Sequence, residues 1–182
     1  MQPAPTTRGY FGIGVERLSK PLNAGNLFRS AHAFGASFLF TVAGQYGRAH
    51  SDTSRAAGQV PLYEFASVEE LSLPDGCRLV GIELMDEAEE LPRFRHPPRA
   101  AYVLGPERGS LSAELLTRCD HVVKIPTRFC INVAMAGAIV MYDRLLSSGA
   151  HGRRAVSSLQ RGEPRRPHVH GPQIVRSRRA PD

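Results

Sequence analysis

Two copies of one pattern lie between residues 101 and 145: a short apolar run, a polar turn and then a helical period. The apolar runs cover residues 101–104 and 121–125, and the turns that follow them begin at Gly105 and Pro126. Their length and flanking breakers predict buried strands. Alternating strands, turns and helices are typical of a parallel sheet, whose ligands bind at the carboxyl ends of the strands. We therefore predict an α/β domain with a mostly parallel sheet and helices on both faces.

The second helical segment of this pattern, from about residue 131, is apolar nearly all round. Such a helix is expected to be buried on several sides, in a core or a subunit interface. Asn132 and Asp143 leave its apolar run too short for a membrane span. A buried amide at Asn132 needs a specific partner. The alternative is that Asn132 simply caps or braces the start of the helix.

The remaining elements follow the same alternation. Strands are predicted at residues 10–15, 37–43, 62–65 and 78–84, a helix from about Pro21 to a stop at Gly35, and a helix start at Ser67. Residues 45–58 are predicted to form a polar loop and residues 86–98 an acidic, proline-rich connection. In the first helix Asn26 and Arg29 are three residues apart and share one face, and Asn23 lies at its start.

The length of 182 residues suits one domain, which we place at residues 9–146, after a flexible lead-in at 1–8 and before a disordered tail at 147–182. Three scattered cysteines form neither a disulfide framework nor a paired metal motif, which suits a reducing cytosol. The amino terminus has no apolar leader segment. We therefore expect a cytoplasmic protein.

The excess positive charge lies entirely in the tail. Residues 147–182 contain eight arginines and two acidic residues, whereas residues 1–146 carry equal numbers of basic and acidic side chains. A basic arm on a neutral domain indicates contact with a polyanion such as nucleic acid. The alternative is a solvated tail that only aids solubility.

Three blocks of sequence, taken together, resemble one known family. They are NAGNLFRSAHAFG at residues 23–35, LGPERGSL at 104–111 and IPTRFCINVAMAGAIVMYD at 125–143. In order and spacing they look like motifs one, two and three of the SpoU-type branch of the SPOUT superfamily. Members of that branch are S-adenosylmethionine-dependent RNA ribose 2′-O-methyltransferases, and the resemblance covers about residues 9–146.

The resemblance implies a fold that sequence patterns cannot reveal. In this family the carboxyl-terminal part of the α/β sheet threads through a loop and forms a deep trefoil knot, a rare exception to the usual absence of knots. Family members are typically homodimers that pack the helices near the knot across the interface. A dimer would account for the apolar face around residues 135–141.

Carried over residue by residue, the resemblance implies a site for S-adenosylmethionine at the strand ends and turns of motifs two and three. Cys130 stands where many members have serine, and the loop from Ile125 to Asn132 is shorter than in some relatives. The cofactor-binding residues implied are Ile82, Leu104, Gly105, Glu107, Ile125, Cys130 and Asn132. No cluster of histidine, cysteine and aspartate demands a metal ion.

The catalytic residues implied are Arg29, Asn23, Glu107 and Asn132. Because a guanidinium stays protonated in proteins, we expect Arg29 to stabilise the developing alkoxide and to hold a phosphate. The alternatives are a surface salt bridge for Arg29 and a simple helix-dipole contact for Glu107. The side chains expected to contact RNA are those of Arg29, Arg48, Arg108 and Arg128.

The sequence thus predicts an RNA 2′-O-methyltransferase. We expect its substrate to be tRNA rather than rRNA, because the domain lacks the amino-terminal RNA-binding extension of many rRNA-directed relatives. The alternative substrate is rRNA, because the arginine-rich tail can take the place of such an extension. A second alternative is an RNA-binding protein that has kept the fold and lost catalysis. A plain nucleotide-binding α/β protein is disfavoured because no recognised phosphate loop is present.

Overall fold

The protein forms one seven-stranded parallel sheet in the computed structural model, which describes residues 9–17, 21–44, 59–106 and 108–148. The order of the strands across the sheet is β3-β2-β1-β6-β4-β7-β5. The elements, in chain order, are β1 (Tyr10–Glu16), α1 (Pro21–Ala33), β2 (Phe38–Val42), β3 (Leu62–Phe65), β4 (Arg78–Ile82), β5 (Glu89–Glu90), a 3₁₀ turn (Leu91–Arg93), β6 (Arg99–Leu104), α2 (Ala113–Arg118), β7 (His121–Lys124) and α3 (Val133–Ser147).

The sheet separates two apolar cores. One core lies under α1 and α3, where Leu27, Phe28 and Val140 are fully buried against side chains of β1 and β6. The other lies under α2, where Leu115 packs against β2 and β6. The predicted arrangement, a parallel sheet with helices on both faces, is confirmed for the described part of the chain. No helix in that part is long and apolar enough to cross a membrane.

The helix α1 begins and ends where its sequence signals predict. It starts at Pro21, a residue favoured in the first helical turn, and it ends before Gly35, whose φ of +77° suits glycine. The lead-in 1–8, the loop 45–58 and nearly all of the tail lie outside the described residues.

The helix predicted from Ser67 is wrong, because the chain forms a single turn there. The Ser67 hydroxyl accepts a hydrogen bond from the amide of Glu70 (3.4 Å), and the Glu70 carboxylate accepts one from the amide of Ala66 (3.3 Å). These bonds resemble those of a helix start. Pro74 follows too soon for a helix to continue, because the residue before a proline is driven out of helical geometry.

A buried polar network fixes the carboxyl-terminal half of α3. Arg144 is 6% exposed and donates hydrogen bonds to the carbonyls of Tyr10, Pro97 and Pro98 and to the hydroxyl of Tyr102. Its guanidinium also lies over the rings of Phe11 and Tyr102. All of these acceptors lie at or near the starts of β1 and β6 or on β6 itself. The network therefore attaches α3 to the sheet.

His96 extends this network to Asp143. Its Nδ1 lies 2.5 Å from the Tyr102 hydroxyl and its Nε2 lies 2.9 Å from the Asp143 carboxylate. Burial raises the pKa of Tyr102 to about 12, so its hydroxyl keeps its proton and donates to Nδ1. The Nε2–H of a neutral imidazole then donates to Asp143. Burial lowers the pKa of His96 below its ordinary value of 6.5, against the opposing effect of Asp143.

The lowered pKa of His96 predicts a loss of stability on acidification. Below about pH 6.5 the unfolded chain binds a proton at His96 more readily than the folded protein does, so the free energy of unfolding falls as pH drops from 7.5 to 5.5. Urea denaturation of the wild type and of His96→Gln at both pH values measures this, because glutamine can keep both hydrogen bonds without titrating. An equal pH dependence in the two proteins would contradict the assignment.

Candidate functional site

The carboxyl ends of four neighbouring strands, β1, β6, β4 and β7, meet at one edge of the parallel sheet. The connections that leave this edge include residues 83–88 after β4, 105–112 after β6 and 125–132 after β7. Together with the start of α3 they line an open cleft, which we call the edge cleft. Its position is the one at which α/β sheets bind ligands.

The structure brings five of the predicted cofactor residues together in the edge cleft: Ile82, Leu104, Gly105, Ile125 and Cys130. Asn132 lies between Ile131 and Val133, which both line the cleft. Glu107 lies outside the described residues. The lining combines apolar strand ends with the backbone of Gly105 and Pro106, a mixture that suits a nucleoside with one apolar face and a few polar groups.

Two carboxylates hold the connection 105–112 in place. The Glu83 carboxylate accepts a hydrogen bond from the amide of Leu111 (2.8 Å), and the Glu16 carboxylate accepts one from the amide of Ser112 (2.8 Å). Glu16 is only 1% exposed. Gly105 lets the connection fold back, because a Cβ there would lie 3.1 Å from the amide nitrogen of Leu111. Gly105, Pro106 and Gly109 of this connection form one wall of the edge cleft.

Further contacts complete the anchorage where α2 begins. The Ser112 hydroxyl caps α2 by accepting a hydrogen bond from the amide of Leu115 (3.1 Å). Arg17 donates to the carbonyl of Ser110 (2.6 Å) and lies 3.7 Å from the Glu16 carboxylate. The backbone of Arg17 adopts a φ of +49°, a conformation that non-glycine residues seldom adopt. Glu16 and Arg17, at the end of β1, therefore fix the backbone just before α2 through hydrogen bonds.

The side-chain hydroxyl of Thr127 stiffens the connection 125–132. Thr127 Oγ1 lies 2.9 Å from the carbonyl oxygen of Phe129 and 3.3 Å from that of Ile125. The Phe129 ring is exposed, and Cys130 is exposed at the rim of the edge cleft. This short connection leads directly from β7 to α3.

Asn132 makes two contacts at the amino end of α3. Its Oδ1 accepts a hydrogen bond from the amide of Ala134 (2.9 Å) and caps the helix, and its Nδ2 donates to Oδ1 of Asn23 on α1 (3.2 Å). The expectation that Asn132 is buried is wrong, because α3 begins at the open edge of the sheet and the side chain is exposed there. Both alternatives considered from the sequence are therefore present: Asn132 caps α3, and it also has a specific hydrogen-bond partner in Asn23.

The helices α1 and α3 pack closely enough to bring Asn23 and Asn132 together. A Cβ at Gly137 of α3 would lie 2.2 Å from a methyl carbon of Leu27 on α1, so any larger residue there would displace the Leu27 side chain. Arg29 is exposed on α1, about 9 Å along the helix axis from Asn23 at 1.5 Å per residue. The structure therefore joins Asn23 and Asn132 directly and places Arg29 farther along the same helix.

The predicted RNA-contacting arginines lie in different places. Arg108 and Arg128 are exposed on the connections after β6 and β7. Arg128 also lines a second depression beside the edge cleft, together with Lys124 and Asp86. Arg48 lies outside the described residues.

Sequence reasoning missed Glu16 and Glu83, the two anchors of the connection 105–112. Each carboxylate stands at or just after the carboxyl end of a buried strand, where a charged side chain next to an apolar run is a signal for the ligand edge. Their partners lie 96 and 28 residues away in the sequence. Nothing local indicates that pairing.

The sequence model of the SpoU rRNA Methylase family matches residues 11–142. This range contains α1, all the connections of the edge cleft and most of α3.

One curated relative is the tRNA (guanosine(18)-2′-O)-methyltransferase TARBP1 of Mus musculus, which is 28% identical over 137 residues. The match covers 69% of this chain but 9% of the mouse protein, so the chain spans a small part of that relative.

Solved structures share the fold. AviRb from Streptomyces viridochromogenes, described as a SpoU methyltransferase in complex with AdoMet, has a TM-score of 0.66 and 22% identity, over 78% of this chain and 58% of that one. A structure described as giving insights into the 2-OH methylation of C/U34 on tRNA has a TM-score of 0.66 and 24% identity, over 77% of this chain and 91% of that one.

The two contacts of Asn132 can be separated by substitution. Asn132→Ala removes the cap of α3 and is expected to lower the free energy of unfolding by about 1 kcal/mol. Asn132→Asp keeps the capping oxygen but loses the donor to Asn23, so it is expected to retain most of the stability. Urea denaturation of both variants checks this, and equal losses would contradict the capping assignment.

Proposed function

The chain belongs to the SpoU rRNA Methylase family of RNA methyltransferases, and from that membership we propose that it methylates the 2′-hydroxyl of a ribose, in tRNA rather than rRNA. The observation that carries the proposal is the edge cleft, where two anchored connections meet the Asn23–Asn132 contact. One wall of the cleft suits a nucleoside, and the helix α1 beside it carries Arg29.

The methyl donor is S-adenosylmethionine, and the edge cleft is its site. When bound, it supplies a methyl group on a cationic sulfur, which makes the methyl carbon electrophilic. Ile82, Leu104 and Ile125 offer apolar contacts, and the backbone of the connection after β6 offers hydrogen bonds. Cys130 and Asn132 contribute next to the start of α3, and Glu107 is a further contact implied by the family resemblance. AviRb, which shares the fold, is described in complex with AdoMet.

Side chains of α1 bind and orient the ribose that is methylated. The guanidinium of Arg29 binds a phosphate of the RNA and stabilises the negative charge that develops on the ribose 2′-oxygen. Asn23 and Asn132 hold each other and orient the hydroxyl at the rim of the cleft. Fixed placement of this kind supplies several kcal/mol of the barrier by itself, about 7–11 kcal/mol in the best intramolecular cases. Arg48, Arg108 and Arg128 contact neighbouring phosphates.

tRNA is favoured as the substrate by the relatives. The mouse relative is named for guanosine 18 of tRNA, and one structure of the same fold is described for position 34 of tRNA. The latter is covered over 91% of its length, so it consists of little beyond the fold seen here. The family name supports rRNA as the second candidate. The arginine-rich tail would extend the RNA contact in either case.

The carboxyl-terminal knot and the homodimer expected of the family belong to the same proposal. After β7, close to one end of the sheet, α3 returns across it to pack on α1, which is the path a knotted chain would need. The outer face of α3 exposes a stripe that a second copy would cover: Met135, Ile139, Tyr142 and Leu146. Met141, which the sequence also placed near this face, is instead fully buried in the core.

Labelled methyl transfer tests the function. The protein is incubated with S-adenosylmethionine labelled in the methyl group and with total tRNA or, separately, with rRNA freed of ribosomal proteins. We expect a 2′-O-methylated nucleoside in the digested tRNA. Label confined to rRNA would support the second candidate, and a base-methylated nucleoside would contradict ribose methylation. Donor binding without label in either RNA would support the non-catalytic RNA-binding protein.

Arg29→Ala is expected to lower the rate of methyl transfer by about 10²–10³, the loss seen when one group that stabilises transition-state charge is removed. Titration calorimetry should find the affinity for S-adenosylmethionine unchanged. Arg93→Ala is the matched control, because Arg93 is also an exposed arginine but pairs with Glu90 away from α1. A near-normal rate for Arg29→Ala, or an equal loss in the control, would contradict the role of Arg29.

A further inference from the structure

Glu83 is the one charged residue among the described residues that line the edge cleft. The others are apolar or neutral. Its side chain is half-buried, and no cationic side chain of the described part lies within 4.0 Å of its carboxylate. The cleft therefore contains a negative charge that no ion pair of the described structure neutralises.

Backbone amides hold this carboxylate in position without cancelling its charge. Oε2 accepts a hydrogen bond from the amide of Leu111 (2.8 Å) and Oε1 accepts one from the amide of Leu84 (3.1 Å). Oε2 also lies 3.5 Å from the point where a Cβ on Gly105 would stand, so it faces the backbone at the mouth of the cleft. An ionised carboxylate has about four acceptor positions, and within the described part of the chain these two hydrogen bonds are the ones that Glu83 accepts.

We propose that Glu83 is a specificity-determining residue that favours the cationic methyl donor over its neutral thioether product. This inference rests on the proposed function. S-adenosylmethionine carries a positive charge on sulfur, and that charge disappears when the methyl group leaves. A fixed carboxylate in a half-buried cleft attracts the first ligand more strongly than the second. The charge of Glu83 thus promotes donor binding and product release.

The anchoring role of Glu83 and its electrostatic role can be separated, because one depends on shape and the other on charge. Glu83→Gln removes the negative charge but keeps an oxygen that can accept the hydrogen bond from the Leu111 amide. The exposed Leu84 amide can donate its hydrogen bond to water instead. Glu83→Ala removes both the anchor and the charge. The first variant should therefore discriminate between the two ligands less well, and the second should bind both of them poorly.

Titration calorimetry with S-adenosylmethionine and with S-adenosylhomocysteine tests the proposal. For Glu83→Gln we expect affinity for the cationic ligand to fall roughly fivefold to tenfold, as for a screened unit charge a few ångströms away, and affinity for the neutral ligand to stay within twofold. The loss should shrink as salt is raised. Glu87→Gln, which removes a charge from an exposed residue four positions along, should change neither affinity.

Equal losses for the two ligands in Glu83→Gln, or no loss for either, would overturn the electrostatic role and leave the proposed function standing. A loss for the cationic ligand that Glu87→Gln reproduces would also overturn it, because the effect would then belong to overall charge. If the wild-type protein binds neither ligand, the proposed function fails, and the inference fails with it.

Discussion

The buried guanidinium of Arg144 is the contact on which the placement of α3 depends. A charged group withdrawn from water costs several kcal/mol unless its donors are satisfied. Four acceptors satisfy it, and they lie at the amino-terminal edge of β1 and in and before β6. The helix is 15 residues long, about 22 Å, so fixing its last turns there brings its first residue to the opposite edge of the sheet. Asn132 consequently meets Asn23 at the edge cleft.

The second requirement is that the connections lining the cleft hold their shape. Carboxylates of Glu16 and Glu83 accept backbone amides of the connection after β6, and Thr127 closes the one after β7. Backbone groups therefore form much of the cleft surface, and their positions depend on side chains from neighbouring strands. A cleft built in this way needs little rearrangement when a ligand enters, which lowers the cost of binding.

Much of the fold could be predicted because its signals are local. The apolar runs of β1, β2, β4 and β6 and the start and stop of α1 can be identified in the sequence, and parallel pairing then places the strand ends of motifs two and three at one edge. The pairing of Glu16 with Ser112 could not be predicted, nor could that of Arg144 with Tyr10, because periodicity does not identify contacts between residues 96 and 134 positions apart. Asn132 was expected to be buried because its neighbours are apolar. The exposure of Asn132 depends on where the edge of the sheet lies, and the local sequence pattern does not predict that position.

The central claim is that the edge cleft holds the methyl donor between the connections after β6 and β7. A crystal structure of the protein soaked with S-adenosylhomocysteine tests it most directly. We expect the ligand to lie against Leu104, Gly105 and Ile125, with its sulfur on the side of the cleft facing Asn132 and α1. Ligand density elsewhere on the molecule, with the edge cleft closed or filled only by solvent, would contradict the account.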